Sequence, residues 1–252
     1  MLEVSFDLFL LLLAAGFFAG FVDAIAGGGG LITVPVLMLS GASPVTALAT
    51  NKVQALFGAA TAAQAYSKGG HVNLREQTGP ALIAFAASVA GALLVSVLPV
   101  EWIRMVLPVL LIGIAVFFAA KKGLGDLDRH RRLSPAVFAA TMVPLCGLYD
   151  GLLGPGAGSF YMLAFVMMAG HGILKATAHT KLLNLASNAG ALLAFAFVAT
   201  PWWVTGLAMG AAQIAGARAG AALAQKQGAK LIKPLLIFTS VALALRLIWD
   251  ML

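Results

Sequence analysis

The chain has little charge. Only 10% of its 252 residues are Asp, Glu, Lys or Arg, against roughly 25% in soluble domains. Runs such as Gln77–Val100, Leu133–Tyr149 and Leu182–Ala217 carry none at all, and each is long enough for a membrane span of about 20 residues. With 61% hydrophobic residues, the pattern excludes an ordinary soluble domain and indicates an all-α, polytopic integral membrane protein. There is one cysteine, Cys146, which excludes an internal disulfide and a cysteine-built metal site. No Lys or Arg precedes Lys52. The first apolar run therefore lacks the basic flank of a signal peptide and is expected to stay in the mature chain. The sequence has no phosphate-loop Gly-Lys-Ser/Thr, no HExxH and no Gly-x-Ser-x-Gly, so no nucleotide-driven pump or hydrolase is indicated. His71 and His130 stand in loops without metal spacing. Neither a cofactor nor a metal is expected, and the chain does not read as an enzyme. The net charge of +7 is read as a topology signal rather than as a nucleic-acid footprint.

Glycine, by contrast, is abundant and concentrated. In "DAIAGGGGLITVP", Asp23 and four glycines interrupt an apolar segment that begins near residue 8. A second interruption, "DGLLGPGAGSF", follows Asp150. The two belong to a repeat. At an offset of 129, Gly41 lies over Gly170, Ala47 over Ala176, Lys52 over Lys181, Leu56 over Leu185 and Gly91 over Gly220; upstream, at 127, Asp23 lies over Asp150 and Gly27 over Gly154. The duplicated unit covers residues 1–122 and 133–252, joined by a basic linker at 123–132. Apolar runs and breakers predict a glycine-broken segment at 8–39 and spans at 44–66, 80–98 and 102–120. The second half repeats this as a broken segment at 135–169 and spans at 173–199, 203–224 and 233–250.

Basic residues orient these elements. Lys121, Lys122, Arg129, Arg131 and Arg132 put the linker in the cytoplasm. The loop with Lys68 and Arg75 is then also inside, and "LPVEW" is outside. The loop "QKQGAK", with Lys226 and Lys230, falls inside only if 135–169 enters the membrane and returns. Each half is thus expected to be a re-entrant helical hairpin plus three transmembrane helices, about eight helical elements in all, with the halves inverted and the N-terminus periplasmic.

The stretches "GFFAGFVDAIAGGGGLITVPVLM", "ALATNKVQALFGAATAAQAY" and "GHVN" resemble the sulfite exporter TauE/SafE family of membrane transporters. The likeness runs the length of the chain. Its second glycine motif is looser, because Ala157 interrupts the glycines and no proline matches Pro35. The resemblance implies a bacterial inner-membrane transporter of small anions, often sulfur oxyanions or organosulfonates such as sulfite or sulfoacetate. An anion channel with the same lysine-lined path, or a carrier of a non-sulfur carboxylate, stays open. So does a homodimer.

A helix broken inside hydrocarbon frees N–H and C=O groups that must face protein or a wet cavity. The helices resuming at Leu31 and near Ser159 would aim free amides at an anion, with Gly28, Gly29, Gly30, Gly156, Gly158 and Ser159 as candidate ligands at the breaks. Lys52 and Lys181 each lie eight residues into a span, counted from Pro44 and Ile173, about 12 Å deep at 1.5 Å per residue. An ammonium there costs at least about 2.5–3.5 kcal/mol unless paired or hydrated. Thr50, Asn51 and Gln54 around Lys52, and His179, Thr180 and Asn184 around Lys181, complete a candidate set of substrate ligands. Ser187 and Asn188, a turn or so deeper, are further cavity candidates, and Gln213 and Arg218 weaker ones. Asp23 and Asp150 are either proton carriers or partners of the lysines, with Asp23 expected on Lys52 and Asp150 on Lys181.

Overall fold

The computed structural model describes residues 3–95, 109, 112, 113, 115–120 and 125–249. Nine helices of ten residues or more are present among them: α1 (Phe6–Ala26), α2 (Gly30–Leu39), α3 (Pro44–Lys68), α4 (Thr78–Leu94), α5 (Pro135–Leu152), α6 (Ala157–Met167), α7 (Ile173–Val198), α8 (Trp203–Gln227) and α9 (Ala229–Trp249). Residues 115–120 are helical as well, and no described residue is in a strand. The predicted span at 102–120 lies largely outside the described residues, as do "LPVEW", Lys121 and Lys122.

Local chemistry sets the boundaries. Ser43 and Ser134 cap α3 and α5 by accepting from the amides of Thr46 and Val137, with proline as the first helical residue of each. That position suits proline, whose missing N–H would have no partner there. The two breaks turn on Gly27 and Gly154, at φ 77° and 86°, a region in which a side chain is strained.

After each break the chain folds back. Leu37 of α2 shares a buried cluster with Leu12 of α1, and Gly29 lies against the Ala19 carbonyl. In the second hairpin, ring centroids of Phe138 and Phe165 are 4.8 Å apart and those of Tyr149 and Phe160 are 4.5 Å apart. The ten residues of α2 and the eleven of α6 rise only about 15–17 Å, half of a hydrocarbon core of about 30 Å. Helices α1, α5 and α7 are long and apolar enough to cross a membrane by themselves. Helix α3 has the length but not the hydropathy, because it buries Thr50, Asn51, Lys52 and Gln54 inside the bundle.

The packing repeats itself when α1 is exchanged with α5, α3 with α7 and α4 with α8. Helix α1 lies on α8, and α4 on α5; α3 lies on α8, and α4 on α7. Each seam is a close approach at glycine. A Cβ on Gly20 would stand 2.5 Å from the Gln213 carbonyl oxygen, and one on Gly151 would stand 2.0 Å from that of Ser88. Helices α3 and α7 meet at the centre in opposite senses: Ala49, near the start of α3, shares a cluster with Ala194 and Phe195, near the end of α7.

Residues 126–128 of the linker act as a clamp. Asp126 accepts from the amides of Leu174 and Ala229, at the first turns of α7 and α9. Asp128 accepts from the Gly172 amide and pairs with Lys175 at 2.5 Å. Beside it, burial first and then the charges of Lys175 and Arg131 push the His171 imidazole down to about 4, with Asp128 opposing. A histidine held neutral in the fold adds stability above its unfolded value of about 6.5, and that contribution is lost as pH falls from there to the folded value. Melting temperatures of wild type should therefore decline between about pH 6.5 and pH 4, and the decline should be shallower in His171→Phe. Two glycine substitutions probe the helix seams. Gly151→Ala should lower stability by about 1–3 kcal/mol through overpacking against backbone. Gly79→Ala, where a Cβ meets nothing within 4 Å, should leave the melting temperature unchanged or raise it slightly.

Candidate functional site

The two hairpin tips meet at the centre of the bundle. A Cβ on Gly158 would lie 2.8 Å from the Gly27 Cα, and the Ser159 hydroxyl donates to the Ala26 carbonyl at 3.4 Å. Beside this contact lies a polar cavity of about 20 Å³, lined by Asp23, Gly28, Gly29, Gly30, Asn51, Ala55, Asp150, Gly154, Gly156, Ala157, Gly158, Asn184 and Asn188. That is room for about one water.

Both lysines reach the tips, and they cross. Lys52 donates to the Asp150 carboxylate at 2.5 Å and to the Asp150 main-chain carbonyl at 2.7 Å. Lys181 donates to the Asp23 main-chain carbonyl and stands 3.5 Å from its carboxylate. The expected partners were the reverse, Lys52 with Asp23 and Lys181 with Asp150. The correction has a physical cause. Asp23 and Asp150 sit in the last turns of α1 and α5, where the helix dipole is negative; the Asp23 carbonyl also accepts from the Gly27 amide. The antiparallel crossing of α3 and α7 brings each ammonium to the broken helix of the other half. Each lysine thus caps a helix C-terminus and neutralises a carboxylate at once. Lys52 and Lys181 are 1% and 0% exposed, so this pairing offsets a desolvation of several kcal/mol per ion.

The opposite ends of the breaks are left open. The amides of Gly28, Gly30, Gly156 and Gly158 donate to no acceptor among the described residues. Asn51 sits next to them. Its carbonyl oxygen accepts from the Thr33 hydroxyl at 2.6 Å and from Gln54 at 3.1 Å, which leaves its NH2 facing Gly30. Gln54 in turn accepts from Gln213 at 3.2 Å. The chain Gln213–Gln54–Asn51–Thr33 ties α8, α3 and α2 together and fixes the amide of Asn51.

Of the predicted residues, the cavity therefore gathers Asn51, Asn184, Gly28, Gly29, Gly30, Gly156, Gly158, Asp23 and Asp150, with Lys52 and Lys181 directly behind the carboxylates and Ser159 at the tip contact. Asn188 lines it too, and Ser187 donates to Asp150. Four predicted residues point elsewhere. Thr50 accepts from the Trp202 amide, Gln54 only orients Asn51, and Thr180 donates to the Ala176 carbonyl. His179 contacts Gln77, and its ring lies 4.6 Å from that of His171, near the α3–α4 loop. Arg218 is exposed. Thr33, which holds Asn51, went unread in the sequence, although it follows Gly29 by one helical turn.

Among the described residues there is no group of three or more His, Cys, Asp or Glu side chains that could hold a metal. The cavity's chemistry is that of hydrogen-bond donors and buried ammonium groups around two carboxylates.

Comparison with known proteins accords with a membrane carrier. The family model described as "Sulfite exporter TauE/SafE" matches residues 12–247. The chain is 50% identical to the probable membrane transporter protein ORF9 of Sinorhizobium sp over 250 residues, covering 99% of this chain and 96% of that one. It is 44% identical to the probable membrane transporter protein YfcA of Escherichia coli K12, covering 92% and 86%. It is 38% identical to a probable membrane transporter protein of Haemophilus influenzae, covering 99% and 98%. No solved structure matches the chain. With the family model spanning nearly all of it and relatives this similar aligned almost end to end, the chain belongs to the TauE/SafE family of membrane transporters.

Proposed function

We propose that this protein is a secondary transporter of small anions, sulfur oxyanions or organosulfonates first among them, across the bacterial inner membrane. The observation that carries the reading is the polarity of the central cavity. Four backbone amides that donate to no acceptor among the described residues, and the Asn51 NH2, belong to residues that line it from the two tips, with Lys181 behind a loosely held carboxylate. Such donors suit the oxygens of a small oxyanion. The substrate site is then Lys181, Lys52, Asn51, Asn184 and the tip glycines, with Asn188 added and Thr50, Gln54, Thr180 and His179 withdrawn.

The working architecture is a pair of inverted repeats, residues 1–122 and 133–252, each a re-entrant hairpin followed by three spans. The antiparallel meeting of α3 and α7 and the twofold pattern of helix contacts support it. A site between two broken helices at the repeat interface is the arrangement that alternating access uses. The cavity is narrow, and on this reading it widens to admit an oxyanion.

Thermal-shift measurements on purified protein against sulfite, thiosulfate, sulfoacetate, taurine and simple carboxylates test the site. At least one sulfur anion should raise the melting temperature of wild type, by an amount that grows with anion concentration. Lys181→Met and Asn51→Ala should lose most of that shift; equal shifts in all three proteins would end the reading. Topology is tested on a Cys146→Ser background with single cysteines at Ser67 and Lys226. The hairpin model expects both to be labelled from the same side of the membrane, the side of the basic linker, and labelling from opposite sides would overturn it.

A further inference from the structure

The two lysine–carboxylate pairs occupy matching places in the repeat, yet they are not equivalent. Asp150 is saturated. Its carboxylate accepts from Lys52 at 2.5 Å, from Asn184 at 3.1 Å and from the Ser187 hydroxyl, and its side chain is 2% exposed. Asp23 is held loosely, by the Gly29 amide at 3.3 Å and by Lys181 at 3.5 Å, and its side chain is 18% exposed, on the cavity. The difference lies in the sequence. Asn184 and Ser187 serve Asp150 from α7, whereas the matching positions on α3 are Ala55 and Gly58, which offer Asp23 nothing.

Lys181 is anchored independently of the Asp23 side chain, because its ammonium also donates to the Asp23 main-chain carbonyl. The carboxylate can swing away while the ammonium stays in place. As folded, the two lysines and two aspartates sum to zero charge. An anion beside Lys181 would make this buried cluster net negative and would set two like charges a few ångströms apart, an arrangement in which one of them gives up its ionised form.

We propose that Asp23 is the coupling carboxylate of this transporter: as an anion enters the cavity, the Asp23 side chain leaves Lys181 and takes up one proton, so that anion and proton bind together. The step balances as carboxylate plus proton plus anion giving a neutral carboxyl beside the bound anion, with the proton drawn from solvent and Lys181 remaining charged. The groups that line or adjoin the cavity leave it this role. Tyr66 of α3 has its hydroxyl committed to the Ala24 carbonyl at 2.8 Å. Asp150, across the cavity on α5, is locked by Lys52, Asn184 and Ser187. The second tip brings Gly154, Gly156, Ala157 and Gly158 to the cavity, and α2 brings Gly30, none of them titratable. The inference rests on the anion-site reading above and adds the identity of the coupling group.

Two measurements on the full-length protein test it, using thiosulfate and methanesulfonate, neither of which titrates between about pH 6 and pH 8. The first counts protons directly: in weakly buffered detergent solution with a pH indicator, wild type should take up about one proton per methanesulfonate bound. The second is the pH dependence of affinity. Wild-type Kd should tighten up to about tenfold per unit fall in pH, whereas Asp23→Asn should bind with a pH-independent Kd close to the acid limit of wild type. An Asp150→Asn protein that folds should keep the wild-type slope; a flat profile there, with Asp23→Asn still sloped, would transfer the role to Asp150 and overturn the assignment. Anion binding by wild type without proton uptake, or uptake replaced by a requirement for sodium, would overturn the inference and leave the anion site standing. No binding of either anion at any pH would overturn both.

Discussion

The centre of this molecule depends on the capping of two broken helices by ammonium groups from the opposite half. Breaking α1 and α5 in the middle of the bundle exposes carbonyls that hydrocarbon cannot solvate, and placing a lysine on α3 and on α7 creates charges that hydrocarbon cannot tolerate. Each problem alone would be costly. Together they cancel, because the ammonium meets the carbonyl and the carboxylate of the same aspartate. The crossing matters as much as the pairing: Lys52 binds Asp150 and Lys181 binds Asp23, so neither half completes its own hairpin.

The rest of the fold keeps that arrangement in register. Glycine-on-backbone seams bring α1 onto α8 and α4 onto α5 without intervening side chains, which fixes how far each broken helix projects. A buried polar chain from Gln213 to Thr33 sets Asn51, and the Asp126 caps hold the first turn of α7, two turns before Lys181. What the scaffold leaves unsatisfied among the described residues lies together at the centre: amides at the starts of α2 and α6, one amide NH2, and a carboxylate with fewer partners than its counterpart.

Much of this was legible in the sequence. The glycine breaks, the duplicated lysines and the starts of α3 and α7 at Pro44 and Ile173 follow from composition, internal repetition and proline placement. The partners of the lysines did not follow, because a repeat tells which residues correspond and not which copies interdigitate. The overreach in the site has a simpler origin. At 100° per residue, neighbours two positions from a lysine face nearly the other way. Thr50 and Gln54 are so placed around Lys52, and His179 before Lys181. Asn184 and Asn188, three and seven positions after Lys181, return to its face. Periodicity would have retained the asparagines and dropped the histidine, whereas proximity in sequence kept both classes together. The predicted third span of the first half, 102–120, lies largely outside the described residues.

The contact between Gly27 and Gly158 carries a mechanical consequence. A barrier made of side chains can open by rotating a few bonds, in nanoseconds and without disturbing its supports. A barrier made of two bare backbones has nothing to rotate. Parting it requires an entire helical arm to slide or tilt, with its caps and seams carried along, and such collective motions run on the microsecond-to-millisecond scale. The seam is thus slow to part: the absence of atoms beyond the main chain leaves no small movement that would open it.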